Sequence, residues 1–236
     1  MGEPDSEDEF SIDVPVSFTL GGDPVETTIS LYDSISDGWL ISGGLGAVSL
    51  YRFGGLGLTL NGIPVDAEHE VSVFPGAYEL GVSEPNFELK GDTVVFALEP
   101  YSPADDSAIE AGLTEDALAE FRTLVRAAVD ECIASTTLAA GCGLELPGTL
   151  SDGTVLTEGT IVRTLSSDTI LTLESLEPRL SYENPTLAQG DYIGGVTTTA
   201  TCTKDGSTGS CTVLFGPTLG SPSVDMAAEN PKVLWD

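Results

Sequence analysis

A chain of 236 residues, 41% hydrophobic and 19% charged, can build one large β domain or two of roughly 100 residues each. Its 38 Asp and Glu against 8 Lys and Arg give a formal charge of −30, with 18 acidic and 2 basic residues in the first 100 positions and 20 and 6 in the remainder. Without a basic face to displace counterions from phosphates, the chain is set aside as a nucleic-acid binder, and an anionic lipid surface is disfavoured. Acidity of this kind keeps a secreted or salt-tolerant protein soluble and monomeric, with dedicated cation binding as the other reading.

Met1-Gly2 followed by Glu3, Asp5, Glu7, Asp8 and Glu9 reads as an added start on an acidic, disordered leader over residues 1–9. Phe10 to Leu20 alternates apolar and polar residues, with Phe10, Ile12, Val14, Val16, Phe18 and Leu20 on one face of a strand. Gly21-Gly22-Asp23-Pro24 supplies the turn into a second strand, Val25 to Tyr32. Trp39 to Leu60 is apolar but contains Arg52 and six glycines, so it reads as strands and turns rather than a membrane helix. Its duplicated Gly43-Gly44-Leu45-Gly46 and Gly54-Gly55-Leu56-Gly57 lack the spacing of a phosphate loop and suit tight turns or close backbone packing.

Short strands then follow at Leu56 to Leu60, His69 to Phe74, Ala77 to Val82, Phe87 to Lys90 and Thr93 to Leu98, with turns at Asn61-Gly62, Pro75-Gly76, Glu84-Pro85-Asn86 and Gly91-Asp92. That punctuation predicts a β-sandwich-like domain over residues 10–100, and the aperiodic segment 101–113 reads as a linker. Thr114 is the expected N-cap of a helix with Glu115 and Asp116 in its first turn, and Leu118, Phe121, Val125, Ala128 and Cys132 form its apolar stripe. Thr157 to Ser166, Thr169 to Tyr182, Tyr192 to Cys202, Cys211 to Phe215 and Val224 to Trp235 read as strands. The expected fold is therefore mainly β with α+β: a β-sandwich-like domain, then a cystatin/NTF2-like domain over 114–236 with one long helix on an antiparallel sheet.

Cys132 and Cys142 are ten apart and Cys202 and Cys211 nine apart, with no CxxC knuckle and a single histidine, His69, so a zinc site lacks ligands. Cys202 and Cys211 flank the Asp205-Gly206 turn of an expected hairpin, and Cys142 lies in a turn close to the helix end that carries Cys132. Local bridges are sterically reasonable, while spacing leaves the two crossed pairings, or four thiols in a cytosolic protein, open. Bridges would imply an oxidising compartment.

Leu60-Asn61-Gly62-Ile63-Pro64-Val65 followed by Val73-Phe74-Pro75-Gly76-Ala77-Tyr78-Glu79-Leu80 resembles the repeated module of PEGA-like domains and of TcaA-like extracytoplasmic proteins. The resemblance implies small β domains joined to an NTF2-like domain outside the membrane, with an anchor upstream of Met1. The match covers about 40 residues, and its matching positions are hairpin turns, so no functional residue carries over.

Catalytic signals are few. His69 lies in the alternating Glu68-His69-Glu70-Val71-Ser72-Val73 run without a Gly-x-Ser-x-Gly elbow, which fits a surface imidazole better than a triad. No EF-hand loop occurs. No catalytic, cofactor-binding or metal-binding residue is assigned, and no cofactor is expected. The four asparagines, Asn61, Asn86, Asn184 and Asn230, form no glycosylation acceptor once Asn184-Pro185 is discounted, which favours a bacterial envelope protein over a glycosylated ectodomain. The expected function is a non-catalytic extracytoplasmic binding or interaction module. Its partner would be an envelope polymer, a protein or a small ligand held in an apolar pocket lined by Phe121 and Val125. The alternative is an extracytoplasmic hydrolase using a carboxylate pair.

Overall fold

The computed structural model describes residues 5–8, 10–20, 23–98, 104–214 and 216–235. They form a mainly β protein with two α-helices and several antiparallel sheets. The chain divides into two compact units, Met1–Gly112 and Leu113–Asp236.

In the first unit, β1 (Asp5–Asp8), β2 (Ser11–Leu20), β3 (Asp23–Ser34) and β4 (Gly38–Gly43) form one four-stranded antiparallel sheet in sequence order. Part of the expected leader is thus a strand, because Asp5 to Asp8 pair with β2. Residues 1–4 and 9 lie outside the described residues. Beyond Gly43 come β5 (Gly46–Val48), a 3-10 turn at Tyr51–Phe53, β6 (Leu58–Leu60), β7 (Ile63–Pro64), β8 (Val71–Val73), β9 (Gly76–Val82), β10 (Phe87–Lys90), β11 (Val94–Ala97) and β12 (Glu110–Leu113).

These shorter strands make the ladders β5 with β8 and β11-β9-β6-β7. They enclose a core that includes Val48, Leu50, Phe53, Leu56, Leu58, Leu80 and Val95. Asn61 and Gly62 both take positive φ, 50° and 76°, and join β6 to β7 in the tight hairpin that Asn-Gly favours. Residues 104–112 of the expected linker are built into this unit. Arg52 donates from Nε to Asp106 at 2.9 Å and to the carbonyls of Asp106 and Ile109. Ala104 and Ile109 are buried.

The second unit opens on α1 (Glu115–Ala134), whose N-cap Thr114 accepts from the Ala117 N–H as its sequence predicts. The buried stripe is Ala117, Phe121, Val125 and Val129. Leu118, Ala128 and Cys132 sit at its half-exposed margin, so the apolar face is turned slightly from the expected one. Then come β13 (Val155–Leu156), β14 (Val162–Leu165), α2 (Ser167–Glu174), β15 (Arg179–Leu180), β16 (Leu187–Gln189), β17 (Gly194–Lys204), β18 (Ser207–Val213), β19 (Thr218–Leu219), β20 (Pro222–Asp225) and β21 (Val233–Trp235).

Helix α2 takes the first part of the strand expected over Thr169 to Tyr182, and only β15, Arg179–Leu180, is a strand there. The strand preference of β-branched Thr169, Ile170 and Thr172 is outweighed by a cap: the Ser166 hydroxyl accepts from the Thr169 N–H, Asp168 stands in the first turn, and Thr169 and Leu173, four apart, are the buried pair. Val224 to Trp235 likewise resolves into two strands, β20 and β21, because Asp225 accepts from the Ala227 N–H and turns the chain.

Strand β17 organises the unit, pairing with β13, β14, β18 and β19, while β15-β16-β20-β21 form a separate sheet. Buried Val196, Thr198, Ala200 and Cys202 alternate along β17, the period-2 signature of a half-buried strand. Asp205 and Gly206, at φ 50° and 79°, close the β17–β18 hairpin.

Both disulfides take the local pairing. Cys132–Cys142 has a Cα separation of 6.3 Å and ties the last turn of α1 to the loop that follows. Cys202–Cys211 has a Cα separation of 5.9 Å. It runs diagonally across the hairpin, since Cys211 stands opposite Ala200.

Candidate interaction surface

The β2–β3 hairpin is built from alternating sequence, and its register gathers most of the apolar residues on one face. Ile12 stands opposite Leu31, Val14 opposite Ile29, Val16 opposite Thr27 and Phe18 opposite Val25. Ile41 stands opposite Leu31 and Trp39 opposite Asp33, so the apolar row continues onto β4. The reverse face carries Ser11, Asp13, Ser17, Thr28 and Ser30, and the Ser30 hydroxyl donates to its cross-strand partner Asp13.

A sheet with one apolar face ordinarily buries that face. Here no described residue from Phe10 to Gly43 is buried. The interior-type residues are half-exposed, and Phe10, Tyr32, Ile35, Trp39, Leu40 and Ile41 are exposed. Only behind β4 does the chain pack tightly: Gly44, at φ 85°, passes so close to the Thr28 carbonyl and Ile29 that no side chain would fit. That is the use of the first glycine cluster, and Gly46 packs against Ala97 in the same way.

The other expected sites resolve differently. His69 lies in the loop before β8 rather than in the strand; its ring is exposed and its Nδ1 is 3.0 Å from Asp66. The backbone N–H of Glu68, and then His69, hold the Asp66 carboxyl below its usual range. This pair is a surface turn. Phe121 and Val125 are fully buried in the core, so they do not line the pocket expected of them.

Open grooves do exist in the second unit, and each of two of them holds a carboxylate pair. One, of about 710 Å³, is lined by Glu145, Leu150, Asp152, Val213 and Leu214. The other, of about 430 Å³, is lined by Arg122, Arg126, Asp130, Leu173 and Glu174. In each, one carboxylate is committed to a cation: Asp152 to Lys204 at 2.7 Å, and Asp130 to Arg126 at 3.0 Å. Lys204 and Thr154 hold the Asp152 carboxyl far below its usual range. That is the reverse of what a proton-donating acid requires.

Among the described residues no group of three or more His, Cys, Asp or Glu is placed to hold a metal ion. No described helix is long and apolar enough to cross a membrane. No protein-family model matches the chain, and comparison with the curated proteins and with solved structures returns no match. Sequence alternation marked the apolar row of β2 and β3. It did not mark β4, whose Gly-Trp-Leu-Ile-Ser-Gly run shows no clear period.

Proposed function

We propose that this chain is a non-catalytic interaction module of a bacterial cell envelope, working outside the cytoplasm and using the β2–β3–β4 sheet as its contact surface. The observation that carries this reading is the apolar face of that sheet, which runs across three strands without one buried side chain. Exposed apolar area of that extent marks a contact surface rather than a finished fold. Two disulfides with no free cysteine support an oxidising location. No comparable observation favours the hydrolase alternative: in each of the two grooves with a carboxylate pair, one carboxylate is committed to a cation and supplies no proton donor.

A photocrosslinking residue at position 41, in the full chain made by its own cell, tests the proposal. Covalent adducts with another macromolecule are expected at Ile41 and not at Leu171, which is more solvent-facing, 61% against 38%, but lies in the second unit. Equal yields at the two positions, or none at Ile41, would remove the sheet as a contact surface.

A further inference from the structure

The two edges of the N-terminal sheet are not alike. On one side the edge strand is β1, whose sequence is Asp-Ser-Glu-Asp. On the other it is β4, Gly-Trp-Leu-Ile-Ser-Gly, with no charge and no proline. An edge strand presents a row of unpaired N–H and C=O groups, and proteins protect such rows with charges, proline or a covering element. β1 has the charges; β4 has neither charge nor proline, and the irregularity in its pairing with β3 lies at its end, between Ile41 and Gly43.

Among the described residues β4 pairs only with β3, so its outer row is open along the strand. The side chains beside that row are apolar on both faces: Trp39 and Ile41 project with the apolar face and Leu40 with the other, at 49%, 38% and 37% exposure. An incoming strand would therefore meet backbone partners and apolar contacts on both faces of the sheet.

Charge narrows the occupant. From Phe10 to Tyr51 the chain carries Asp13, Asp23, Glu26, Asp33 and Asp37 and no Lys, Arg or His. Asp33 stands opposite Trp39, and Asp37 precedes Gly38 at the start of β4. A second copy of this chain would bring the same five carboxylates against them, at a cost that rises as salt falls. A basic strand brings the complement.

We propose that β4 accepts an added strand from a partner polypeptide: an extended segment in which apolar residues alternate with Lys or Arg, held by main-chain hydrogen bonds along the β4 edge. This rests on the interaction-module reading and names its partner class.

The test uses the full, bridged chain carrying Trp235→Phe, so that Trp39 is the single tryptophan reporter. The probe is a labelled eight-residue peptide of alternating lysine and valine at about 0.1 M salt, where surface charges more than roughly 10 Å apart are screened. Two companions accompany it: the same peptide N-methylated at alternate amides, and a glutamate-valine version. The lysine peptide should bind and shift the Trp39 emission. N-methylation of the amides that face β4 should weaken binding at least tenfold without changing charge, and the glutamate peptide should not bind. Replacing Leu40 and Ile41 together by lysine should abolish binding. The methylated peptide keeps the test decisive if that variant disturbs the sheet.

Equal affinity for the methylated peptide would show ion attraction alone and overturn the proposal. So would no binding of the lysine peptide, or self-association of the chain through β4. If these peptides fail while the crosslink at Ile41 still traps a macromolecule, the strand proposal falls and the interaction module stands. If both fail, the sheet is not an interface.

Discussion

The protein contains two long antiparallel hairpins that solve the same problem differently. β2–β3 runs through ten residue pairs and β17–β18 through seven, and both alternate apolar and polar residues. β17–β18 buries Thr198, Ala200, Cys202 and Val213 and is crossed by the Cys202–Cys211 bridge. β2–β3 buries nothing among its described residues and has no bridge. A two-stranded hairpin is marginal in water on its own. Alternation therefore specifies a strand and its faces, but whether the apolar face is used inside the molecule depends on what folds over it. β17 meets the Leu156 and Ile161 cluster; β2 and β3 have only each other and their edge neighbours.

The largest break in this comparison should come from reduction. Each bridge closes a loop of about ten residues, worth about 2.5 kcal/mol in the chain-entropy picture, so removing both should cost the second unit about 5 kcal/mol. Trp39 lies in the first unit and Trp235 in the second, so single-tryptophan variants read the units separately in urea. The Trp235 transition should move sharply on reduction and the Trp39 transition should not. A joint shift of both would mean that the units unfold as one.

A comparable loss is expected from Arg163→Ala. Arg163 is 4% exposed and stands opposite Thr198 on β17. Its guanidinium donates to the carbonyls of Ser135, Thr137 and Leu144 at 2.8 to 3.0 Å, gathering the segment that follows α1. Burial pulls its pKa down, while Glu145 and Glu158 pull it back up; an arginine remains charged throughout. Truncation strands three carbonyls and leaves a void, for about 4 kcal/mol. A Trp235 midpoint displaced by less than about 1 kcal/mol would show that water replaces the side chain without loss.

What could be read from sequence follows the same division. The α1 cap at Thr114, the Asn61-Gly62 and Asp205-Gly206 turns and the β2–β3 alternation are local signals, and each forms as read. Helix α2 was hidden because Thr169, Ile170 and Thr172 are β-branched and suit a strand, and only the Ser166 cap discriminates. Arg163 gave no signal, since its acceptors lie 19 to 28 residues away in sequence. The open edge at β4 was also beyond reach: a charge-free run is equally a buried strand until the pairing shows that no described strand lies on its outer side.

Smaller substitutions sharpen the contrast on matched residues. Val213 on β18 is 8% exposed within the Leu156 cluster, so Val213→Ala should cost about 2 kcal/mol. Val14 on β2 is half-exposed, so Val14→Ala should cost less than about 1 kcal/mol in the isolated protein. Urea midpoints read through Trp235 and Trp39 check the pair. A large loss at Val14 would mean that its face is already covered in the free protein, and the interface assignment would fail with it.

The smallest effect is electrostatic. Lys204, at the end of β17, pairs with Asp152 at 2.7 Å and gives this hairpin a cation; no lysine or arginine occurs between Phe10 and Tyr51. Because the folded-state pKa of Asp152 is lowered, the stability it contributes is fully present above its unfolded value of about 3.9. That contribution is lost as pH falls through the folded value. Asp152→Asn should therefore lower the Trp235 midpoint slightly at pH 6, and the difference should shrink below about pH 4. Since both groups are solvent-exposed, 1 M salt should shrink it too. The same salt should raise the Trp39 midpoint, because five carboxylates around β2–β4 repel one another with no cation among them. A difference at Asp152 that survived both acid and salt would mean that its charge is not the source, since an asparagine oxygen at this position can still accept from the Thr154 N–H. A Trp39 midpoint indifferent to salt would mean that the acids of the sheet stand too far apart to repel, and would weaken the charge argument for a basic partner at β4.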